Sequence, residues 1–358
     1  MERDRMAAMA TRFASLLDSL TVPGTLYRPL GGGKIECYAC GHRCRIPEGR
    51  RGICRVRFNA GGQLRVPDGY VAGLQCDPIE KKPLFHVCPG AVALTFGMLG
   101  CNLHCPFCQN WHSSQVLRDP EAAAGFRQVE LDQLLGSATR SGARVVTSSY
   151  NEPMITAEWA HKIFQGARRI GLRTAFVSNG YASSEALEFL RPHLDCLKID
   201  LKCMRDRNYR RLGGRLSVVL ETIKQAHKLG LWVELVTLLV PGFNDSREEV
   251  GEAAEFIAGV SHDIPWHVTA FHPDYQMDGL PCTSVAKLLE AAEIGRAAGL
   301  HFVYAGNLPG SVREWENTYC PGCRRLLVER RGFSVRIDRL SGSGVCPDCR
   351  RIVPGVWN

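Results

Sequence analysis

The chain lacks any apolar run approaching the ~20 residues that a membrane-spanning helix needs. Its first twenty residues, MERDRMAAMATRFASLLDSL, lack the uninterrupted apolar core of a secretion signal. They also carry Glu2 and Asp4, which an acid-poor transit peptide avoids, and read as a short amphipathic helix on a cytoplasmic protein. Internal repeats and low-complexity tracts are missing. No signature of a nucleic-acid-binding fold is present. Hydrophobic and charged contents of 45% and 22% sit near globular averages, so neither a disordered nor a fibrous chain fits. With 358 residues the chain can bury a sizeable core without disulfide staples.

Cysteine is what the chain has in plenty. Sixteen cysteines without a secretion signal should mostly be reduced thiols or metal ligands. They group at 37, 40, 44 and 54, at 101, 105 and 108, and at 320, 323, 346 and 349, with Cys76, Cys88, Cys196, Cys203 and Cys282 scattered. A disulfide framework would rarely leave so long a middle stretch nearly free of cysteine. The net charge of +8 is uneven: residues 34–66 carry +6, residues 320–358 carry +5, and residues 91–319 carry −3. The basic character belongs to the two cysteine-rich ends. It suits either an acidic partner such as nucleic acid or the local offset of metal-bound thiolates.

Between 91 and 306 short apolar runs alternate with helical patterns. The strands read as Ala91–Gly97, Ala143–Ser148, Leu172–Ser178, Asp195–Leu201, Leu231–Val240 and Trp266–Phe271, with 302–305 as a candidate seventh. Helices are expected near 129–141, 156–170, 183–191, 215–229, 246–259 and 283–298, several closed by glycine. Six strand–helix units in series make an α/β protein with a parallel sheet and right-handed crossovers. They are too few for a closed eight-fold barrel, so a partial (βα)6 barrel follows, with its chemistry at the C-terminal strand ends. The expected division is an N-terminal helical extension (1–33), a Cys-rich metal-binding module (34–90), the barrel (91–306) and a C-terminal zinc-ribbon-like module (307–358).

Directly after the first strand comes Gly100-Cys101-Asn102-Leu103-His104-Cys105-Pro106-Phe107-Cys108. Three thiolates on one short loop suit a cubane iron–sulfur cluster and leave its fourth iron open. A structural zinc would need a fourth ligand, from His104 or His112. In the C-terminal module, Cys320-x2-Cys323 and Cys346-x2-Cys349 have zinc-ribbon spacing. In the N-terminal module, Cys37, Cys40, Cys44 and Cys54, with His42 among them, suit zinc, with an auxiliary iron–sulfur cluster as the alternative. Cys203, just past the fourth strand, is the best placed of the scattered thiols for chemistry; the competing account is an inert core thiol.

The Cys101–Cys105–Cys108 spacing resembles the signature of the radical S-adenosylmethionine (SAM) superfamily. Other segments agree in order: Asp77-Pro-Ile-Glu-Lys-Lys-Pro-Leu-Phe-His86, Gly100 to Trp111, Leu239-Val-Pro-Gly-Phe-Asn-Asp-Ser246, Trp266 to Tyr275, and Ala305-Gly-Asn-Leu-Pro-Gly310. Together, over about residues 37–357, they resemble the AmmeMemoRadiSam-system radical SAM enzymes, which are similar to the pyruvate formate-lyase activating enzymes. The resemblance implies a radical SAM barrel, a [4Fe-4S] cluster on the three cysteines, and S-adenosyl-L-methionine held by its methionine moiety at the open iron. Reductive cleavage then gives a 5′-deoxyadenosyl radical that takes hydrogen from a substrate. It implies a one-electron donor protein such as flavodoxin or ferredoxin and a substrate that is unidentified and could be a protein. Phe107 then packs near the adenine and Glu152, of Tyr150-Asn-Glu-Pro153, meets the amino group, although the family's two glycines before this acid are absent here. Asn179, Asp200, Lys202 and His272 are the further contacts to the methionine and ribose. Competing readings are an ordinary turn at Asn179-Gly180, a structural pair for Asp200 and Lys202, and a helix-capping turn at Glu152.

Three functional readings remain alongside a radical enzyme of unidentified substrate: a glycyl-radical activase, an RNA- or protein-modifying radical enzyme docking through its basic Cys-rich modules, and a non-catalytic metal-binding module.

Overall fold

The computed structural model describes residues 13–340 and 342–358. The N-terminal helix expected from residue 1 lies, for its first twelve residues, outside the described residues; residues 13–19 are helical. The largest sheet has eight strands. Gly73–Pro78 (β1) runs antiparallel to Val92–Gly97 (β2) at one edge. Val145–Ser148 (β3), Arg173–Ser178 (β4), Cys196–Asp200 (β5), Trp232–Leu239 (β6), Trp266–Ala270 (β7) and Val303–Gly306 (β8) continue parallel from β2 in chain order. Among the described residues the sheet stays open between β1 and β8.

One major helix crosses between each consecutive pair from β2 to β8: Leu131–Arg140 (α1), Ala157–Arg169 (α2), Ser184–Leu190 (α3), Leu216–Lys228 (α4), Arg247–Val260 (α5) and Val285–Ala297 (α6). Ser183, Ser246 and Ser284 cap α3, α5 and α6 by accepting from Ala186, Glu249 and Lys287 backbone N–H groups. The outer faces of the strands, with Phe96, Phe176, Leu197 and Ile199, pack on Ile163 and Phe164 of α2 and Val219 and Ile223 of α4. The α/β architecture and six crossovers agree with the partial barrel, and the seventh parallel strand forms at residues 303–306.

β1 was not marked as a strand, because in this edge strand reading GLQCDP the alternation is confined to Leu74 and Cys76 against Gln75 and Asp77, too short to stand out. It moves residues 73–78 from the expected Cys-rich module into the barrel sheet. The following residues fill the barrel from below. Ile79, Leu84, Val87 and Cys88 pack on the inward Ala93, Val145, Ala175 and Cys196. Glu234 of β6 fixes this plug by accepting from Phe85 N (2.9 Å), His86 N (2.9 Å), Trp232 Nε1 (3.0 Å) and His267 Nε2 (2.8 Å). Burial pushes the Glu234 carboxyl up, but its bond to His267 and that histidine's charge outweigh burial and hold it below its ordinary value.

The N-terminal module carries two small antiparallel sheets: Tyr27–Gly31, Lys34–Cys37 and Cys44–Ile46 in one, Thr21–Pro23, Gln63–Pro67 and Phe58–Ala60 in the other. It docks on the barrel through buried Arg57, whose guanidinium makes a two-pronged pair with Glu158 of α2 at 2.7 Å on each arm. The C-terminal ribbon pairs Thr318–Tyr319, Leu326–Arg331 and Ser334–Asp338. Its core takes in Phe85, Phe302 and Tyr304 from the barrel floor, so ribbon and barrel share apolar contacts.

Candidate active site

The site begins where β2 ends. Gly100 has φ of 89°, and a Cβ there would stand 2.9 Å from Val56 Cγ1 and 3.2 Å from Cys54 O. Only glycine lets the loop turn left-handed while lying against the N-terminal module. Arg118 holds the next residues by donating to Cys101 O (2.7 Å), Leu103 O (3.2 Å) and Ile53 O (2.6 Å). Cys101, Cys105 and Cys108 then line a single cavity of about 420 Å³, together with Phe107, Glu152, Asn179, Lys198, Asp200 and Lys202. The volume falls in the ~300–1,000 Å³ range of small-molecule sites.

Burial pushes the Cys101 thiol well above its ordinary range, and the nearby Glu152 charge adds to this; burial raises Cys105 to about 11. Thiolates at Cys101 and Cys105 would be costly here without a cation, so metal ligation at these two must release protons. The Lys202 ammonium beside Cys105 favours the anionic form. No histidine completes the set among the described lining residues. The His104 ring is turned onto Gly213, where a Cβ would stand 2.4 Å from its Cε1, and His112 stacks on Trp111 at 3.8 Å. The donor set therefore fits a cubane with one open iron and does not fit a four-ligand structural zinc.

Glu152 sits just past β3, 2% exposed. Its Oε1 accepts from Met154 N (2.9 Å) and Ser178 Oγ (2.8 Å), and its Oε2 from Asn179 N (2.7 Å). Burial nevertheless raises its carboxyl to about 7, against the pull of those donors. On β5, alternation turns Lys198 and Asp200 into the cavity and Lys202 follows in phase. Asp200 pairs with Lys198 and, at 3.3 Å, with Lys202. Burial raises the Asp200 carboxyl, but the two lysines outweigh it and hold it below its usual value.

A family model described as the Radical SAM superfamily matches residues 96–257. The chain is 37% identical over 316 residues, 88% of its own length and 93% of the relative's, to the uncharacterized protein MJ0808 of Methanocaldococcus jannaschii. The chain belongs to the radical SAM superfamily. It is also 26% identical over 185 residues, 51% of its length and 76% of the relative's, to the pyruvate formate-lyase-activating enzyme of Clostridium pasteurianum. With the pyruvate formate-lyase 1-activating enzyme of Escherichia coli the identity is 24% over 212 residues, 54% and 83% of the two chains.

Within this radical SAM frame, Phe107 is buried and makes a T-shaped contact with Phe243 (5.5 Å between centroids). Asn179 turns its amide to the cluster loop: Nδ2 donates to Asn102 Oδ1 (2.8 Å) and approaches Cys101 Sγ (3.8 Å), while Oδ1 accepts from Tyr181 N (2.9 Å). Its side chain thus positions the Cys101 loop. His272 is exposed, outside the cavity lining, and meets Gln109 at 2.8 Å. On β7 the inward residues are His267 and Thr269, so His272 is out of phase with them. Cys203 is buried beside Arg205 O, is not in the lining, and is raised to about 12 by burial. Residues given no role in the sequence reading complete the cavity: Lys81 and Lys82 of the plug, Tyr150 with φ of 70° and Asn307 after β8, all within segments that carry the resemblance, and Phe333 of the ribbon, which had no signal.

The ribbon's four sulfurs, of Cys320, Cys323, Cys346 and Cys349, all lie within 4.8 Å of one another. In the N-terminal module Cys37 faces Cys44 across paired strands, and Cys40 and Cys54 are buried. Burial raises Cys40, and the charges of Cys37, Cys54 and Cys44 raise it further. Cys44 is raised to about 11 by burial. Among the described residues only the ribbon thiols meet within that 4.8 Å limit. His42 points away from the thiols to Asn102 O (2.8 Å) and packs on Tyr181.

Proposed function

We propose that the protein is a radical SAM enzyme that holds a [4Fe-4S] cluster on Cys101, Cys105 and Cys108 and abstracts hydrogen from a substrate yet to be identified. The observation that carries this is one cavity bearing three cysteines, no histidine, and a buried carboxylate beside them. Bound there, the cluster supplies the electron that cleaves S-adenosylmethionine to a 5′-deoxyadenosyl radical. The chain's own residues bind, orient and enclose. Glu152, steadied by Ser178 and two backbone N–H groups, receives the ammonium of the methionine moiety. Phe107 offers an aromatic surface to the adenine. Asn179 fixes the loop that carries Cys101, and Asp200 with its two lysines supplies charge near the ribose and carboxylate.

The finer placement is among the AmmeMemoRadiSam-system enzymes, close to glycyl-radical activases. It is supported by the roles of the shared segments: Asp77–His86 forms the plug, Asn244 of the 239–246 segment ties Lys202 O and Leu238 O, and Asn307 reaches the cavity. In this reading the ribbon binds zinc. Its Sγ pairs at 3.5 and 3.6 Å are close to the ~3.8 Å separation that Zn–S bonds of about 2.3 Å give a tetrahedral site. The reductant is an acidic one-electron carrier such as flavodoxin or ferredoxin, attracted by the basic modules. The setting is the cytoplasm, and no helix among the described residues is long and apolar enough to cross a membrane.

The test is anaerobic reconstitution followed by paramagnetic resonance of the reduced protein. Addition of S-adenosylmethionine should shift the cluster signal, and alanine at Cys101, Cys105 or Cys108 should abolish it. A signal that ignores S-adenosylmethionine would overturn the reading.

A further inference from the structure

We propose that the C-terminal ribbon closes the open seam of the barrel and that Phe333, at its hairpin tip, roofs the cofactor cavity. This rests on the radical SAM reading above. The seam lies between β1 and β8, which have no strand partner for each other among the described residues. The hairpin formed by Leu326–Arg331 and Ser334–Asp338 is bonded to the chain that follows each of those strands, at Phe85 and at Glu316.

On the β8 side the tie is Glu316, a buried carboxylate. Its Oε2 accepts from Gly310 N (3.0 Å), in the loop that also carries Asn307 to the cavity, and its Oε1 accepts from Gly332 N (2.7 Å) in the hairpin turn. Gly332 has φ of 59°, and a Cβ there would stand 3.2 Å from Pro309 Cβ, so glycine permits both the turn and its seating on that loop. On the β1 side the tie is Arg330, whose side chain is wholly buried. Its Nη2 donates to Phe85 O (2.7 Å), its Nη1 to Thr318 Oγ1 (2.8 Å), and its Nε lies 3.5 Å from Glu80 Oε1 of the plug. The four clustered thiols of Cys320, Cys323, Cys346 and Cys349 flank the hairpin at its other end.

Held this way, the turn delivers Phe333 to the lining that includes Cys101, Glu152 and Lys198, together with Lys81, Lys82 and Pro83 of the plug. The ring remains 45% exposed, an apolar group kept at a cavity mouth where it can exclude water. Excluding solvent strengthens the electrostatics inside and limits side reactions of reactive intermediates.

Full-length protein with Phe333→Ala and Phe333→Tyr, reconstituted anaerobically, tests the roof. Bathophenanthroline should bleach the cluster absorbance several-fold faster in F333A than in the parent, with F333Y near the parent and thermal unfolding unchanged in both. Equal bleaching rates in F333A and parent would overturn the proposal. Formation of 5′-deoxyadenosine is followed in parallel. Accelerated bleaching with no 5′-deoxyadenosine from any of the three proteins would uphold the roof and sink the radical-enzyme reading. Normal 5′-deoxyadenosine with unaltered bleaching would do the reverse.

Discussion

Glu152 is a carboxylate that burial works against and three donors work for, and the balance leaves it near 7 instead of its ordinary 4.5. Because the folded value is raised, the group's contribution to stability is fully present below 4.5 and is lost as the pH rises to about 7, the range in which the unfolded chain has already ionised. An ammonium ligand prefers the ionised form. S-Adenosylmethionine affinity should therefore increase with pH and level off above about 7, measured by calorimetric titration of the anaerobic cluster-loaded protein. Glu152→Gln should flatten this Glu152-dependent rise. It should also weaken binding by about 1.5–3 kcal/mol, the worth of a hydrogen bond to a charged group, which is roughly ten- to hundredfold in Kd. Unchanged affinity in E152Q would remove Glu152 from the site. The residues legible in the sequence were those whose types announce chemistry at strand ends: Cys101, Cys105, Cys108, Glu152, Asp200 and Lys202 all reach one cavity. His272 shares that position after a strand but not the phase, and ends up exposed against Gln109.

At the scale of elements, the apolar runs marked β2 to β7 to within two residues at each end, because strands covered on both faces announce themselves by continuous hydrophobicity. The edge strand β1 alternates only over residues 74–77, and the plug carries no period. Residues 79–88 fold as a short 3-10 turn and irregular chain, and what orders them is tertiary: Glu234, Arg330 and the barrel's inner face. A hydrogen-bonded series runs from the ribbon into this plug. Arg330 Nη1 donates to Thr318 Oγ1, which lies 2.8 Å from Tyr304 OH, and that hydroxyl lies 2.7 Å from His86 Nε2, while His86 Nδ1 faces Pro354 O at 2.7 Å. Burial lowers His86 to about 4, so the ring is neutral: Nδ1 donates to Pro354 and Nε2 accepts from Tyr304. Arg330→Ala leaves Glu80 buried without its cation. It should cost about 3–5 kcal/mol, the range for breaking a buried pair, read as a lower midpoint in urea. A loss under 1 kcal/mol, as at a surface pair, would contradict the account of the ribbon–plug junction.

For the whole molecule, an acidic-to-neutral barrel is flanked by two basic, thiol-rich modules, with the N-terminal one resting on the Cys101 loop through Gly100 and Arg118. Reduction of the cluster by an acidic carrier protein should slow as salt is added, since screening weakens attraction over more than about 8–10 Å at physiological ionic strength; a salt-independent rate would exclude docking by charge. Metal analysis after anaerobic purification should find one zinc per chain in addition to iron, and Cys323→Ser should lose that zinc and lower the melting temperature. Retention of the zinc in C323S would remove it from the ribbon. Above these stands the cavity that brings three cysteines together with the buried Glu152 carboxylate. Anaerobic, cluster-loaded protein mixed with dithionite and S-adenosylmethionine is the most direct measurement. The account predicts methionine and 5′-deoxyadenosine in equal amounts, absent from the Cys105→Ala variant. A fully loaded cluster that leaves S-adenosylmethionine intact would contradict it.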